Sequence, residues 1–346
     1  MSNKKTANSS HTSGLQKWLE NIWYEKAKGA WILLPLTGLY CAISRVKRWK
    51  DTRNQVQIDC PIIIVGNISV GGTGKTPLTI YTVKLLQENR YKPAIITRGY
   101  GGKATSWPQR VTATTDASLA GDEAVLMASR TSVPVYAGAD RVSSITKILE
   151  HTDCDVIVSD DGLQHYKMPR DIQIAVIDGK RQLGNGYCLP AGPLRERKKR
   201  LDSCDLIVVN GEEHKNYPST WLKMSLVGDR LINLKTHEEQ SLDQFSEKTV
   251  NAVTGIGNPQ KFYKTLKQSD LKLICHDFPD HHNFKPNDLD FNNDYPVLMT
   301  EKDAVKCKAF ANENVWVLPV TAVLDRQFNQ SLLDRIASHS VVESKK

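Results

Sequence analysis

From residue 61 onward, short runs of apolar and β-branched residues alternate with segments whose apolar residues recur at helical spacing. The runs read PIIIVGNI, PAIITRGY, VPVYAG, CDVIVSDD, IQIAVID and DLIVVNG, and helical patterns over 76–89, DEAVLMASR and VSSITKILEH separate them. Strands that are apolar throughout are typical of a parallel sheet covered by helices on both faces. The pattern therefore predicts an α/β fold.

The alternation weakens after residue 211 and returns near residue 251 with NAVTGIG, LKLICHDF, PVLMT and VWVLPV. The region between them reads as short polar strands. We therefore predict six segments: a disordered tail over 1–14, an N-terminal membrane-associated helical segment over 15–60, the core over 61–211, a β-rich connector over 212–250, a smaller C-terminal α/β lobe over 251–330 and a C-terminal tail over 331–346.

The N-terminal segment combines apolar helical patterns with basic flanks. Apolar residues recur at helical spacing from Leu15 to Trp23, and the run GAWILLPLTGLYCAIS over 29–44 has no charged residue. Ten Lys or Arg residues and four acids lie in 1–60, so most of the net charge of +8 is found there. The run is about 24 Å long as a helix, which is short of a hydrocarbon core of about 30 Å. We predict a helix at the headgroup level of an anionic membrane, with a helix packed on the domain as the alternative.

Composition narrows the class of protein. The chain has 346 residues, of which 40% are hydrophobic and 24% charged, which is ordinary for a globular protein with a full core. Its seven cysteines are scattered without a CxxC pair, as is typical of free thiols in a reducing compartment. We therefore expect a cytoplasmic protein that is a monomer and binds a membrane surface rather than nucleic acid.

The stretch GNISVGGTGKTP follows an apolar strand and opens a helix. It matches the phosphate-binding loop pattern except that Ser69 stands at the first glycine position. Its glycines let backbone N–H groups surround phosphate oxygens, while Lys75 would reach the β- and γ-phosphates and Thr76 would ligate Mg²⁺. An ordinary glycine-rich turn is the alternative. The predicted nucleotide site consists of Ser69, Val70, Gly71, Gly72, Thr73, Gly74, Lys75 and Thr76.

A second acidic site follows the strand in CDVIVSDDGLQH, where Asp160 and Asp161 could hold Mg²⁺ or, alternatively, end the strand in a turn. The segment VLMTEKD near the C-terminus comes close to a guanine-binding motif, but its lysine is one position out of register. Switch ATPases with KGGxGKT loops have a lysine where this chain has Val70. The remaining interpretation is an ATP- and Mg²⁺-dependent phosphotransferase.

Seven short motifs together resemble the tetraacyldisaccharide 4'-kinase family, which phosphorylates the lipid A precursor on the cytoplasmic face of the Gram-negative inner membrane. They are VGNISVGGTGKTP, TRGYGG, GDEA, DDGLQH, LPAGPLRE, FPDHH and TEKDAVK, and the resemblance runs from about residue 15 to residue 330. It implies a P-loop NTPase-type fold and transfer of the ATP γ-phosphate to the 4'-hydroxyl of a tetraacyl glucosamine disaccharide 1-phosphate in lipopolysaccharide biosynthesis. A nucleotide-dependent membrane switch ATPase or chaperone is the alternative function.

The resemblance also implies roles for individual residues. Asp122 matches the base for the acceptor hydroxyl and His281 its assistant, although the neighbouring His282 is an alternative assistant. From the residues alone, Asp122 could be a helix N-cap, and the FPDHH segment could be an exposed loop or a metal cluster. The catalytic set is Asp122, His281, Lys75, Arg141 and Arg195; the metal set is Thr76, Asp160, Asp161 and Glu123; further motif residues are Arg98, His165 and Glu196.

Overall fold

The computed structural model describes residues 14–25, 29–211 and 217–343. The tail predicted over 1–14 therefore lies, except for Gly14, outside the described residues, as do the first residues of the predicted connector. In chain order the strands are β1 (Ile62–Gly66), β2 (Pro93–Thr97), β3 (Gln109–Val111), β4 (Val135–Ala137), β5 (Val156–Asp160), β6 (Ile172–Asp178), β7 (Leu206–Asn210), β8 (Leu222–Val227), β9 (Arg230–Asn233), β10 (Glu239–Ser241), β11 (Thr249–Thr254), β12 (Lys272–Asp277), β13 (Val297–Thr300), β14 (Val315–Leu318) and β15 (Thr321–Leu324).

Helices of very different length connect these strands. The α-helices are α1 (Gly14–Tyr24), α2 (Ala30–Arg53), α3 (Lys75–Glu88), α4 (Ala117–Ala120), α5 (Asp122–Thr131), α6 (Arg141–His151), α7 (Pro259–Gln268), α8 (Glu301–Ala304) and α9 (Arg326–Glu343). Three 3-10 turns cover Lys198–Ser203, Leu242–Phe245 and Pro286–Leu289.

The chain forms two compact units. The larger contains Asn21–Val227 and the chain from Val320 onward, and the smaller contains Gly228–Pro319 together with the residues up to Glu20. In the described part of the larger unit, nine strands form one sheet in the order β15-β8-β7-β6-β1-β5-β2-β4-β3. The central β1 pairs in parallel with both β5 and β6, as in Ile63 opposite Val158 and Ile172. The predicted α/β fold is confirmed.

The core of the larger unit lies around β1, because every residue of that strand is buried. Ile62 and Ile64 belong to one apolar cluster with residues of β2, β5, β6 and α6. Burying an isoleucine side chain stabilises a fold by about 1.5–3 kcal/mol, so this all-apolar strand anchors the sheet. Polar groups are confined to its carboxyl end, where the chain leaves the core.

The smaller unit has a sheet of its own, which contains six of the described strands in the order β10-β9-β14-β13-β11-β12. Strands β12, β11, β13 and β14 are parallel, whereas β9 and β10 are antiparallel. This unit has two separate apolar clusters. One includes Phe262 of α7, and the other includes Phe284 of the loop that follows β12. This unit thus has its own hydrophobic core.

The segment boundaries predicted from the sequence differ from these units. The predicted connector is divided, because β8 pairs with β7 in the large sheet whereas β9 and β10 belong to the small one. Residues 331–343 of the expected C-terminal tail instead belong to helix α9, and its last three residues lie outside the described ranges. Phe328, Leu332 and Ile336 of α9 recur at helical spacing and are fully buried, and Tyr81 donates to Asn329 at 2.8 Å. An apolar helical face that the larger unit can bury explains this correction.

Helix α2 has two different faces. Thr37 is buried and Tyr40 packs on the core cluster, so the helix is fixed to the larger unit. The opposite face is exposed and apolar, with Trp31 72% and Val46 64% accessible. No helix in the described ranges is long and apolar enough to cross a membrane.

Candidate active site

The predicted phosphate loop lies at the carboxyl end of β1 and leads into α3, which begins at Lys75. Gly71 and Gly74 have φ values of +100° and +97°, which only glycine adopts without strain. The side-chain amide of Asn210, at the end of β7, donates to the Thr73 carbonyl at 2.8 Å. A Cβ on Gly74 would overlap that amide. Glycine at these positions therefore permits the positive φ values of the loop, and at Gly74 it also leaves room for the Asn210 amide.

Two asparagines that hold this loop were not predicted from the sequence. Asn67 is fully buried and donates to the Thr73 hydroxyl at 3.2 Å, and Asn210 holds the carbonyl of the same residue. A signal for Asn210 was present, because it ends a buried parallel strand, where functional groups of such sheets collect. The strand order that brings β7 close to β1 could not be read from the sequence.

The paired aspartates end β5, next to the loop. Lys75 Nζ lies 3.6 Å from Asp161, and Arg195 Nη1 lies 3.2 Å from the same carboxylate. Burial disfavours ionisation of Asp161, but the attraction of Lys75 and Arg195 outweighs it and holds the pKa of this carboxyl below its ordinary value. Asp161 is therefore an anion that two cations share.

Asp160 has a different environment. It is fully buried, and its Oδ1 accepts a hydrogen bond from Thr79 at 3.0 Å, whereas Oδ2 has no hydrogen-bond partner in the described part of the chain. Burial, followed by the negative charge of Glu123, raises the pKa of Asp160 to about 7. A buried carboxylate oxygen without a donor is suited to accept a cation.

Arg141 is the first residue of α6 and is almost fully buried. It donates to the carbonyls of Gly138 at 2.5 Å and Asp160 at 3.2 Å. Burial lowers its pKa to about 10, so the guanidinium stays charged at neutral pH. Burial and the nearby cations Arg141 and Arg98 lower the pKa of His165 to about 4, which keeps its ring neutral. The side chain of Arg98 itself is exposed.

The LPAGPLRE motif lies directly beside the phosphate loop. Val70 N donates to Pro193 O at 2.9 Å and Arg195 N donates to Ile68 O at 2.7 Å, which makes a short antiparallel bridge. Glu196 follows and accepts from Gln164 at 3.2 Å and from the Tyr166 hydroxyl. The structure thus brings the loop, the DDGLQH segment and this motif together within one unit.

Asp122 is buried at the start of α5, and its Oδ1 accepts from the Glu123 N–H at 2.9 Å. Gly121 occupies the N-cap position, and Asp122 is the first helical residue, so Asp122 is an acid in the first turn rather than the N-cap residue itself. A Cβ on Gly121 would lie 2.5 Å from Tyr100 O, which explains why glycine stands there. The TRGYGG and GDEA motifs therefore pack against each other.

His281 belongs to the smaller unit and has a φ of +60°. Its Nε2 lies 3.4 Å from Lys302 Nζ, and Lys302 pairs with Asp280 at 3.3 Å. His282 instead binds Asp288 at 2.9 Å and packs on two phenylalanine rings. These contacts tie the His282 ring to the loop and the aromatic residues around it. The FPDHH and TEKDAVK motifs thus meet at the pair of Asp280 and Lys302.

The described residues contain no group of three or more His, Cys, Asp or Glu side chains arranged to hold a metal ion. The metal-cluster interpretation of FPDHH is therefore unsupported in this part of the chain. The larger unit contains all the other predicted site residues. A lysine-bearing loop beside paired carboxylates and buried arginine is suited to moving a phosphoryl group, so the fold and site define a P-loop phosphotransferase.

Known proteins identify the family. The model of the LpxK family, described as tetraacyldisaccharide-1-P 4'-kinase, matches residues 29–337. Tetraacyldisaccharide 4'-kinases from Nitrosococcus oceani and Legionella pneumophila are 42% and 45% identical over 90% of this chain, and 92% and 95% of theirs. LpxK from Aquifex aeolicus, solved in complex with ATP, has a TM-score of 0.74 and 30% identity, over 88% of this chain and 99% of that one. The chain belongs to the tetraacyldisaccharide-1-P 4'-kinase family and is an ATP-dependent kinase.

Proposed function

We propose that the protein transfers the γ-phosphoryl group of Mg-ATP to the 4'-hydroxyl of the tetraacyl glucosamine disaccharide 1-phosphate precursor of lipid A. Its family membership supports this acceptor. The observation that carries the proposal is the phosphate loop, where Lys75 lies 3.6 Å from Asp161 beside the buried Asp160. Cations and backbone N–H groups fixed around one point stabilise a phosphoryl group in transfer.

Three cations would stabilise the phosphoryl group during transfer. Lys75 contacts the β- and γ-phosphates, as the loop pattern implies. Arg195, half-buried and bound to Asp161, presents a planar guanidinium whose free N–H groups can donate to phosphoryl oxygens. Arg141 is 2% exposed, so it acts through its positive field and through the carbonyls that it holds. The neutral His165 beside it adds no competing charge.

On the acceptor side, Asp122 accepts the proton of the 4'-hydroxyl as that oxygen attacks the γ-phosphorus. Its carboxylate is buried and fixed by the Glu123 N–H, which is the restraint that a general base needs. The family resemblance assigns to His281 the role of assisting this base. The two residues belong to different units, and their pairing stays a prediction.

Mg²⁺ fits the donors at the end of β5. Asp160 and the Thr76 hydroxyl would hold the ion, with Asp161 and Glu123 as further acidic groups beside it. The buried Asp160 Oδ2, which lacks a donor among the described residues, supports this assignment. Mg²⁺ usually takes one or two protein carboxylates and completes its shell with phosphate and water, so a larger protein cluster is not required. When bound, the ion neutralises charge on the β- and γ-phosphates.

We propose that the protein is a monomer that associates peripherally or monotopically with an anionic membrane at the cytoplasmic face of the inner membrane. The exposed apolar face of α2 supports the membrane association. Basic side chains flank its apolar residues at the carboxyl end of the helix, as in membrane-surface helices. Acyl chains of the acceptor would then stay in the bilayer while its sugar reaches the enzyme. The exposed apolar residues are Trp31, Ile32, Leu34, Leu36, Leu39, Ile43, Val46 and Trp49.

Incubation with γ-labelled ATP and the lipid disaccharide monophosphate tests the reaction by thin-layer chromatography. We expect ADP formation to require the lipid and one labelled phosphate to appear per lipid. A switch ATPase or chaperone would release labelled phosphate and leave the lipid unlabelled, which would overturn the proposal.

A further inference from the structure

The loop that follows β6 places an arginine against the phosphate loop. The carboxylate of Asp178, buried at the end of β6, accepts the backbone N–H groups of Lys180 at 3.0 Å and Arg181 at 2.9 Å. Gly179 N also donates to Asn210 O at 2.8 Å, and Asn210 is the residue that holds Thr73. The backbone of Arg181 is therefore tied to the same framework as the phosphate loop.

The guanidinium of Arg181 lies beside Gly71. Its Nη1 is 3.2 Å from the position that a Cβ on Gly71 would occupy, and its Cζ is 5.2 Å from the ring centroid of Tyr24. No carboxylate pairs with this guanidinium among the described residues, whereas Lys75 and Arg195 both share Asp161. Arg181 is thus a half-buried cation at the loop that has no carboxylate partner within the described ranges.

The strand order places Arg181 on the opposite side of the phosphate loop from the paired aspartates. Strand β1 lies between β5 and β6, so the phosphate loop has Asp160 and Asp161 on one side and Arg181 on the other. A triphosphate held by the loop would meet metal-binding carboxylates on the first side. Its oxygens on the second side need a cation of their own, and a planar guanidinium suits phosphoryl oxygens.

We propose that Arg181 is a further catalytic residue that donates hydrogen bonds to the terminal phosphoryl group of bound ATP. It stabilises the charge on the oxygens that face away from Asp160 and Asp161, and Tyr24 holds the guanidinium in place through its ring face. The inference deepens the proposed kinase reaction and rests on it for the activity measurement. Nucleotide binding tests it independently.

The binding test compares AMP-PNP, which has a terminal phosphoryl group, with ADP, which lacks it, by titration calorimetry without lipid. Arg181→Ala should weaken AMP-PNP binding by about tenfold or more, since a charge-assisted hydrogen bond is lost, and ADP binding by less than about threefold. Arg181→Lys should recover part of the AMP-PNP affinity, because the charge remains but the planar fork does not. Lys180→Ala, an exposed cation one residue earlier in the loop, is the matched control and should bind both nucleotides as the wild type does.

The activity test uses saturating ATP and the lipid disaccharide monophosphate. An arginine on the transferred group should contribute to turnover, so Arg181→Ala should lower kcat by about 100-fold or more. A rise in the KM for the lipid with unchanged AMP-PNP affinity would assign the arginine to the phosphate of the acceptor and overturn the proposal. Equal losses of AMP-PNP and ADP affinity, or changes below threefold in both affinity and kcat, would overturn it too.

Two further arms keep the result interpretable. Thermal unfolding without nucleotide verifies each variant, and Arg181→Gln and Arg181→Lys carry the test if the alanine variant does not fold. If wild-type protein binds AMP-PNP but does not label the lipid, the proposed reaction fails while the binding comparison still decides the role of Arg181.

Discussion

The nucleotide side and the acceptor side of this active site differ in how their charged groups are held. Around the phosphate loop, Lys75 and Arg195 share Asp161, and Asn210 fixes the loop backbone, all within the larger unit. Of the residues proposed for the acceptor chemistry, Asp122 belongs to the larger unit and His281 to the smaller one. Phosphate binding is therefore organised by one hydrophobic core, whereas the proposed acceptor chemistry draws on residues of two.

The largest expected effect lies on the nucleotide side. Lys75→Ala and Thr76→Ala should each lower kcat by about 10³-fold or more, because both act on charge at the β- and γ-phosphates. Steady-state kinetics with the lipid acceptor measures it. Lys84→Ala, on the exposed face of α3, is the matched control and should keep wild-type turnover. Near-native rates in the Lys75 or Thr76 variant would remove the phosphate loop from the mechanism.

Asp122→Asn isolates the acceptor side. We expect kcat to fall by about 10²- to 10⁴-fold with little change in ATP affinity, because Asn can still accept from the Glu123 N–H but cannot take a proton. Measuring kcat and, separately, ATP affinity by titration distinguishes a loss of proton transfer from a loss of nucleotide binding. Asp116→Asn, an exposed N-cap of α4, serves as control. Loss of ATP binding in Asp122→Asn would move this residue to the nucleotide side.

The membrane proposal depends on the outer face of α2, which the triple variant Leu36→Ser, Leu39→Ser and Ile43→Ser removes. Partition onto anionic vesicles should fall by about 100-fold or more, since each apolar side chain contributes about 1.5–3 kcal/mol when buried. Turnover on detergent-dispersed substrate should change by less than about twofold, because the three side chains are exposed rather than packed against the fold.

Vesicle flotation measures the change, with Leu149→Ser, an exposed leucine on α6, as the same substitution elsewhere. Unchanged flotation of the triple variant would place membrane contact on another surface. Deleting the first 45 residues would be a less specific test, since the deletion also removes the buried Thr37 and Tyr40 of the inner face.

The smallest effect concerns stability and the electrostatics of the phosphate side. The pKa of His165 is lowered from 6.5 to about 4 by burial and then by Arg141 and Arg98. Below pH 6.5 the His165 ring therefore binds a proton in the unfolded chain but not in the folded protein. The free energy of unfolding falls as the pH drops toward 4. Between pH 7 and pH 5 this one group should cost about 2 kcal/mol.

Urea unfolding at both pH values measures this loss. His165→Gln should lose less stability than the wild type over that interval. His151→Gln, a substitution of an exposed histidine on α6, is the control for the mutation itself. Identical pH slopes in the wild type and His165→Gln would show that His165 takes up its proton equally in both states.

Much of the large sheet could be predicted because its strands are continuous apolar runs, and the phosphate loop because its spacing is a local property. Asn210 and Arg181 could not, since their roles depend on the strand order that places β6 and then β7 on one side of β1. The helix at Phe328, Leu332 and Ile336 had a visible periodicity, but its place became evident only when β15 returned to the large sheet. The two faces of α2 likewise needed the partner surface. Sequence shows local pattern, whereas strand order decides which distant residues meet.

The bonds between α2 and the LPAGPLRE motif have a thermodynamic consequence. Ala191 N donates to the Thr37 hydroxyl at 3.1 Å and Tyr40 donates to Arg195 O at 2.9 Å, while Arg195 N donates to Ile68 O, next to the phosphate loop. One short segment thus contacts both the helix proposed to face the membrane and the nucleotide loop. If binding of ATP at the loop orders this segment, a bilayer that binds α2 afterwards has less conformational entropy to remove, and the reverse also holds. Such coupling is reciprocal. ATP should therefore slow amide exchange in α2, and docking to a bilayer should raise ATP affinity by the same factor by which ATP strengthens docking.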